Sequence, residues 1–261
     1  MVTRKGPAPA PGQCDIVFRD SQVCLVDKGP GLLTVKTDVG NPPTVMGHLR
    51  HRLKGAHDQV FPVHRLDRDT SGVLVVARTR HALGTLVEEL RRRDFERVYL
   101  ALCSGRPPGA GTIRSHLGTV GRDLRMRTLD DGEGQLAVTH FRLVEQAGEV
   151  ALVALKLETG RRNQIRVHLA ELGFPLLGEQ QYAAGRTDLI ARQALHSHRL
   201  AITHPSTGQR VVAVSPLPED MQRAWRVAGG KHGPVVGDGF PIPGGGGRVF
   251  ELGNPGATPG P

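Results

Sequence analysis

A chain of 261 residues with 38% hydrophobic and 23% charged residues has the composition of a soluble globular protein, long enough for one large domain or two small ones. No apolar run is long enough to span a bilayer, and "MVTRKGPAPAPGQ" lacks the apolar centre of a signal peptide, so cytoplasmic residence is expected. The formal charge of +9 belongs to the folded part, because Lys231, Arg248, Asp238 and Glu251 cancel within 229–261. A basic globular domain points to a polyanionic partner, nucleic acid first, while aromatics at 4% argue against a stacking platform for long single strands.

Taken in order, residues 1–13 read as a flexible arm. From about 14 to 37 the pattern is of short strands, with turns at Arg19–Gln22 and Gly29–Gly31. Residues 43–54 fit a short basic helix, and "GVLVVART" (72–79) a strand whose unbroken apolar run implies burial on both faces. Leu83, Leu86, Val87 and Leu90 recur at helical spacing over 80–93, where Arg91–Arg93 close the helix at the end that favours cations. "RVYLALCSG" (97–105) is a strand, hairpins follow to about 145 through the turn "DDGEG", and "VALVALKLETG" (150–160) is a second strong strand. A helix over 162–172 would bury Ile165, Leu169 and Leu172. Strands near 195–203 and 209–215 and a helix at 217–227 close the pattern, which is that of a single α+β domain over 14–228 with a mixed, largely antiparallel sheet. The Gly/Pro-rich stretch 229–261 cannot bury a core and is expected to be disordered.

The three cysteines, Cys14, Cys24 and Cys103, have no C-x-x-C spacing, which removes a disulfide scaffold and a zinc ribbon; Cys24 and Cys103 read as small buried hydrophobes. Twelve histidines cluster only in "HSH" (196–198) and "HLRH" (48–51), which read as solvent- or RNA-facing. Neither a G-x-S-x-G elbow nor a P-loop is present.

The stretch "HRLDRDTSG" (64–72) sets Asp67 and Asp69 among arginines. Arginines hold a carboxylate ionised, which suits a nucleophile or fixed charge and rules out the opposed pair of acids a glycosidase needs. They also repel a divalent cation, and no second acidic cluster completes a shell around His64, Asp67 and Asp69, so no metal is expected. A turn salt-bridged to its own arginines is the plain structural alternative. "TGRRNQIRVHLAELGFPLLGEQQY" (159–182) sets Arg161, Arg162 and Arg166 about a helix start, a place for phosphate or carboxylate, or equally a basic surface on a packed helix.

Together "HRLDRDTSG", "RVYLALCSG", "TGRRNQIRVHLAELGFPLLGEQQY" and "LHSHRLAITHP" resemble, in order and spacing over roughly residues 15–216, the RluA-type RNA pseudouridine synthases. The resemblance implies that Asp67 is the nucleophile that isomerises a uridine in ribosomal or transfer RNA, without cofactor or metal. It implies that Arg65 fills the gap left by a flipped-out base, that Tyr99 stacks on the uracil and serves C5 deprotonation, and that Arg166 pairs with the nucleophile. It places His64, Arg161, Arg162, Ile165 and Val167 around the RNA or the base, and leaves Asp69, Thr70 and Ser71 to shape the turn. Arg97 stands where the family usually has lysine, Arg162–Asn163 replace a common Thr-His, and Glu179 replaces a common aspartate. The stretch before Cys14 is too short for the N-terminal RNA-binding domain of many relatives, so RNA selection is expected to fall on the catalytic domain, with a monomer as the default. The rival readings are a non-catalytic RNA-binding or chaperone protein on the same scaffold, and a metal-dependent nuclease.

Overall fold

The computed structural model describes residues 2–3, 6–37, 40–53, 59–120, 125–130, 132–183, 188–231 and 248–252. In chain order the elements are β1 (Val2–Thr3), β2 (Cys14–Arg19), β3 (Val23–Lys28), α1 (Val45–Arg52), β4 (Phe61–Pro62), β5 (Ser71–Ala77), α2 (Arg80–Arg91) and β6 (Glu96–Ser104). There follow β7 (Ala110–Val120), β8 (Arg125–Leu129), β9 (Gln135–Ala147), β10 (Val150–Leu157), α3 (Gln164–Glu171), β11 (Leu195–Thr203), β12 (Arg210–Val214), α4 (Glu219–Val227) and β13 (Arg248–Glu251). The class is α+β with mixed strand pairing, as the sequence predicts. The chain divides into two compact units, Met1–Tyr99 with Leu195–Glu219, and Leu100–Ala194 with Asp220–Pro261. The crossing falls inside β6, between Tyr99 and Leu100, where no Gly/Pro or charge-rich stretch announces it.

In the first unit β5 is fully buried, as its unbroken apolar run predicts. It pairs antiparallel with β3 over its whole length, and β3 pairs antiparallel with β2. Its other edge is shared: Ser71–Gly72 pair in parallel with His196–Ser197 of β11, and Val76–Ala77 pair antiparallel with β4. β11 in turn pairs antiparallel with β12. Thr79 caps α2 by accepting the Ala82 N–H at 3.0 Å. The helix then lays Ala82 and Leu86 on a core of Val23, Leu25, Val73, Val75, Leu200 and Ile202, with Leu83, Val87 and Leu90 at its margin. Its arginine end is exposed, with Arg92 on Glu88 at 3.0 Å.

Gly72 has φ +108, and a Cβ there would stand 2.1 Å from the Ser197 carbonyl oxygen. The parallel step between β5 and β11 therefore requires glycine. Gly72→Ala is expected to cost at least ~2 kcal/mol of unfolding free energy, read by urea denaturation; an unchanged midpoint would show that the step can open without loss.

In the second unit β7 and β10 flank β9, all antiparallel, and β8 folds back on β7. The helix expected at 162–172 begins two residues later, because Asn163 lies in the left-handed region at φ 54. Its stripe is as expected, with Ile165, Leu169 and Leu172 all buried. Cys14, Cys24 and Cys103 are free and buried, and burial pushes the Cys103 thiol up to about 12.

Both ends depart from expectation. Val2–Thr3 in the arm pair in parallel with Ala213–Val214, because the outer edge of β12 offers backbone groups that need no side-chain pattern to recruit a partner. In the tail, Arg248–Glu251 add in parallel to Gly111–Arg114 of β7. Phe250 reaches the Phe141 ring, centroids 5.9 Å apart, over Gly111, where a Cβ would strike both rings. The rest of the expected disorder, at 232–247 and 253–261, lies outside the described residues.

Candidate active site

Residues 63–70 run from β4 to β5 and carry His-Arg-Leu-Asp-Arg-Asp-Thr in the first unit. The loop is gripped through its main chain. Thr34 Oγ1 donates to the Leu66 carbonyl at 2.9 Å and accepts the Leu66 N–H at 3.1 Å. The fully buried Lys28 donates its Nζ to the Arg68 carbonyl at 2.8 Å and to the Gly29 carbonyl at 3.0 Å. Asp67 sits between these two grips, its own carbonyl accepting the Thr70 N–H at 3.2 Å. Its side chain is half-buried; those of Arg65 and Arg68 are exposed.

His64 turns inward. Its Nε2 accepts the Val75 N–H at 3.2 Å, and its ring stands edge-on to Phe95 with centroids 5.5 Å apart. Burial, then the nearby Arg97 charge, push its pKa down to about 3, so the imidazole is neutral at physiological pH. Through Nε2 it anchors the loop to β5.

Tyr99 on β6 is 5% exposed. Burial raises its phenol above the ordinary value; Arg97 opposes that, Asp67 adds to it, and the Ser197 hydroxyl favours ionisation. Asp67 and Tyr99 are therefore close enough to feel one another's charge. Beneath them Ser71 Oγ donates to His196 Nδ1 at 2.9 Å, a direction fixed by His196 Nε2, which faces the Ser215 carbonyl at 3.2 Å and must carry the hydrogen. His198 Nδ1 donates to the same carbonyl at 2.7 Å. "HSH" is thus interior, not solvent- or RNA-facing, because both rings point along β11 toward the end of β12; in "HLRH" His48 is half-buried and His51 exposed.

The second unit holds the other arginines. Gln164 is 2% exposed and closes the Thr-Gly-Arg turn with all four of its hydrogen bonds: Oε1 accepts from Thr159 Oγ1 and the Arg161 N–H, and Nε2 donates to the Val138 carbonyl and Thr139 Oγ1. Arg161 Nε donates to the Leu136 carbonyl at 3.0 Å, while Arg162 is exposed. Arg166 grips Glu179 in a two-pronged pair, Nε and Nη2 each 2.8 Å from a carboxylate oxygen, and its guanidinium lies 5.1 Å over the Tyr182 ring. Burial would raise the Glu179 carboxyl, but Arg166 and the N–H groups of Gln181 and Tyr182 outweigh it and hold the carboxyl below its ordinary range. Val167 packs on Leu117, Met126 and Ala137, and Ile165 is equally buried. Among the described residues no group of three or more His, Cys, Asp or Glu side chains could hold a metal ion. No helix among them is long and apolar enough to cross a membrane.

The model of the family described as RNA pseudouridylate synthase matches residues 22–171. The chain belongs to the RNA pseudouridylate synthase family. An uncharacterized RNA pseudouridine synthase of Bacillus subtilis is 38% identical over 223 residues, covering 84% of this chain and 73% of that protein. The ribosomal large subunit pseudouridine synthase D of Xanthomonas campestris is 40% identical over 240 residues, covering 85% and 72%. Among solved structures, human RNA pseudouridylate synthase domain containing 1 superposes with a TM-score of 0.65 at 26% identity, covering 87% of this chain and 98% of that one.

Within this family member the sequence-predicted residues fall into two sets. His64, Arg65, Asp67 and Tyr99 lie in the first unit, and Arg161, Arg162, Ile165, Arg166 and Val167 in the second. Three residues with visible work in the site were not singled out for it: Lys28 and Thr34, which grip the loop, and Gln164, which builds the turn. Glu179 was noticed only as a departure, yet it is the carboxylate found on Arg166. A lysine closing the apolar run "VCLVDK" directly before "GPG" is a sequence signal that could have flagged Lys28.

Proposed function

We propose that this chain isomerises uridine to pseudouridine in RNA, ribosomal RNA foremost and transfer RNA second, with Asp67 as the nucleophile and no cofactor. The observation that carries the reading is the loop that holds Asp67 by its main chain beside the buried phenol of Tyr99. Support for RNA of the ribosome comes from the relatives named for the large subunit.

The reaction is an isomerisation, so no atom has to be supplied. The N1–C1′ bond of the uridine breaks while the Asp67 carboxylate acts at the ribose. The uracil turns in place and C5 bonds to C1′. One proton leaves C5 and one is gained at N1. Each role fits a property of its residue: a fixed anion for the ribose, a mostly buried aromatic for the base, and the exposed Arg65 for the space a flipped nucleotide leaves. Arg166, oriented by its two-pronged pair with Glu179, is a second candidate catalytic cation.

The test is tritium release from RNA labelled at uridine C5, taken from a strain lacking this gene, with a chelator present. Release with RNA length unchanged is the expected result. No release would overturn the reading in favour of a non-catalytic RNA-binding protein, and shortened RNA that depends on added Mg²⁺ would indicate a nuclease.

A further inference from the structure

Arg97 and Tyr99 stand two residues apart on β6 and so face the same side of the strand. Both are nearly sealed from water, at 6% and 5% exposure. A guanidinium is protonated at any working pH, so Arg97 carries a full positive charge into the interior. Buried arginines are normally paired. Elsewhere in this chain Arg166, Arg192 and Arg199 meet that need with Glu179, Asp220 and Glu96. Arg97 does not: its Nε is buried without a hydrogen-bond partner, and among the described residues no ion pair compensates it.

Its surroundings narrow what that charge can be for. On one side is His64, whose Nε2 is taken by the Val75 N–H and whose ring stays neutral. The groups that bear on the Tyr99 phenol are Arg97 from the same strand, Asp67 from the loop and the Ser197 hydroxyl from β11. Burial and Asp67 both oppose a phenolate; among the described residues that bear on it, Arg97 is the one that brings a positive charge against them. An unpaired buried cation is costly to a fold, and it becomes useful when an anion forms next to it.

We propose that Arg97 is a positioning residue whose uncompensated charge stabilises the anionic form of Tyr99, readying the phenol to take the proton from C5. The step rests on the isomerase reading given under Proposed function. Once C1′ has bonded to C5, the phenolate oxygen takes the C5 proton and the C–H electron pair restores the C5–C6 double bond. The proton the phenol first loses is balanced by the one gained at N1 or by solvent.

The chain has two tyrosines, Tyr99 and Tyr182. Tyr182→Phe therefore leaves Tyr99 as the sole phenol, and its ionisation can be followed by near-ultraviolet absorbance without RNA or turnover. In that background Arg97→Met is expected to raise the apparent pKa of Tyr99 by at least about one unit, a tenfold shift in the ionisation constant. The same shift is expected in the rising limb of the pH profile of single-turnover tritium release. Arg97→Lys, which keeps the charge, is expected to restore both.

An unmoved phenol in Arg97→Met would overturn the proposal, whatever happens to turnover. Weaker RNA binding with a shallower salt dependence and an unmoved phenol would make Arg97 a phosphate contact instead. Because Arg97→Met removes an unpaired buried charge, its thermal midpoint should equal or exceed that of the parent. A variant that unfolds would show that the charge has a structural partner and would also overturn the proposal. If the parent releases no tritium, the isomerase reading fails on its own, while the phenol titration still reports whether the two side chains are coupled.

Discussion

Asp67→Asn is expected to lower single-turnover isomerisation by at least about 10⁴-fold, the scale on which enzymes lose rate when a nucleophile is removed. It should do so without disturbing the loop. The bonds that hold residues 66–70 run to main-chain atoms: Thr34 to Leu66, Lys28 to the Arg68 carbonyl, and the Thr70 N–H to the Asp67 carbonyl. Asparagine has nearly the same shape and keeps the main chain untouched, so the change is close to the removal of one charge. RNA affinity is set mainly by phosphate contacts from exposed cations and should stay within a few-fold of the parent in filter binding at fixed salt. A variant that turns over at near-normal rate would sink the assignment of Asp67. One that loses turnover and affinity together would show that the carboxylate organises the RNA site more than it reacts.

Acid lability is the second large effect. Burial holds His64 and His168 at about 3 and pushes His198 below its ordinary value as well. His168 is enclosed by Ser115 Oγ and Thr139 Oγ1, each 2.9 Å from a ring nitrogen. In the folded chain His64 and His168 stay neutral as pH falls, whereas in the unfolded chain each takes a proton near pH ~6.5. The unfolded state then binds more protons, so stability rises with pH across the window from about 3 to 6.5 and is complete above it. Each histidine contributes a slope of about 1.4 kcal/mol per pH unit well inside that window. The two together remove roughly 2.5 kcal/mol between pH ~6 and ~5, a sizeable part of the stability of an ordinary domain, and His198 acts in the same direction.

The carboxyls of Asp20 and Glu179, held below their ordinary range, act in the same direction at lower pH. Burial alone would raise both, but hydrogen bonds win in each, and their stabilisation is lost only as pH falls through the depressed values. Urea midpoints measured from pH ~7.5 down to ~4.5 should therefore fall steeply before the carboxylate range is reached. His168→Gln should flatten the slope by about a third to a half. A midpoint level from pH 7 to 5 would show that these rings take up protons inside the fold.

The sequence made the elements legible wherever one segment decided its own fate. The unbroken apolar run at 73–76 could only be a buried strand, and Ile165, Leu169 and Leu172 could only share a helix face. The loop motif was legible because its residues are contiguous. What could not be read depends on residues far apart in the chain. His196 and His198 carry no local sign of burial; their partners, Ser71 and Ser215, lie 125 and 17 to 19 residues away. Lys28 finds the Arg68 carbonyl 40 residues on. Glu179 meets Arg166 only after the chain has left α3 and turned back. The division of the chain passes through the middle of a strand, in its apolar stretch 98–103, so composition could not mark it. The short strands at either end have too few residues to show any period.

Thr34 and Lys28 hold the loop at Leu66 and Arg68 by main-chain atoms, and His64 fastens its start to Val75, so none of these three grips runs through the Asp67 carboxylate. An Asp67→Asn chain is therefore expected to stay folded and to compete with an intact copy for the same RNA.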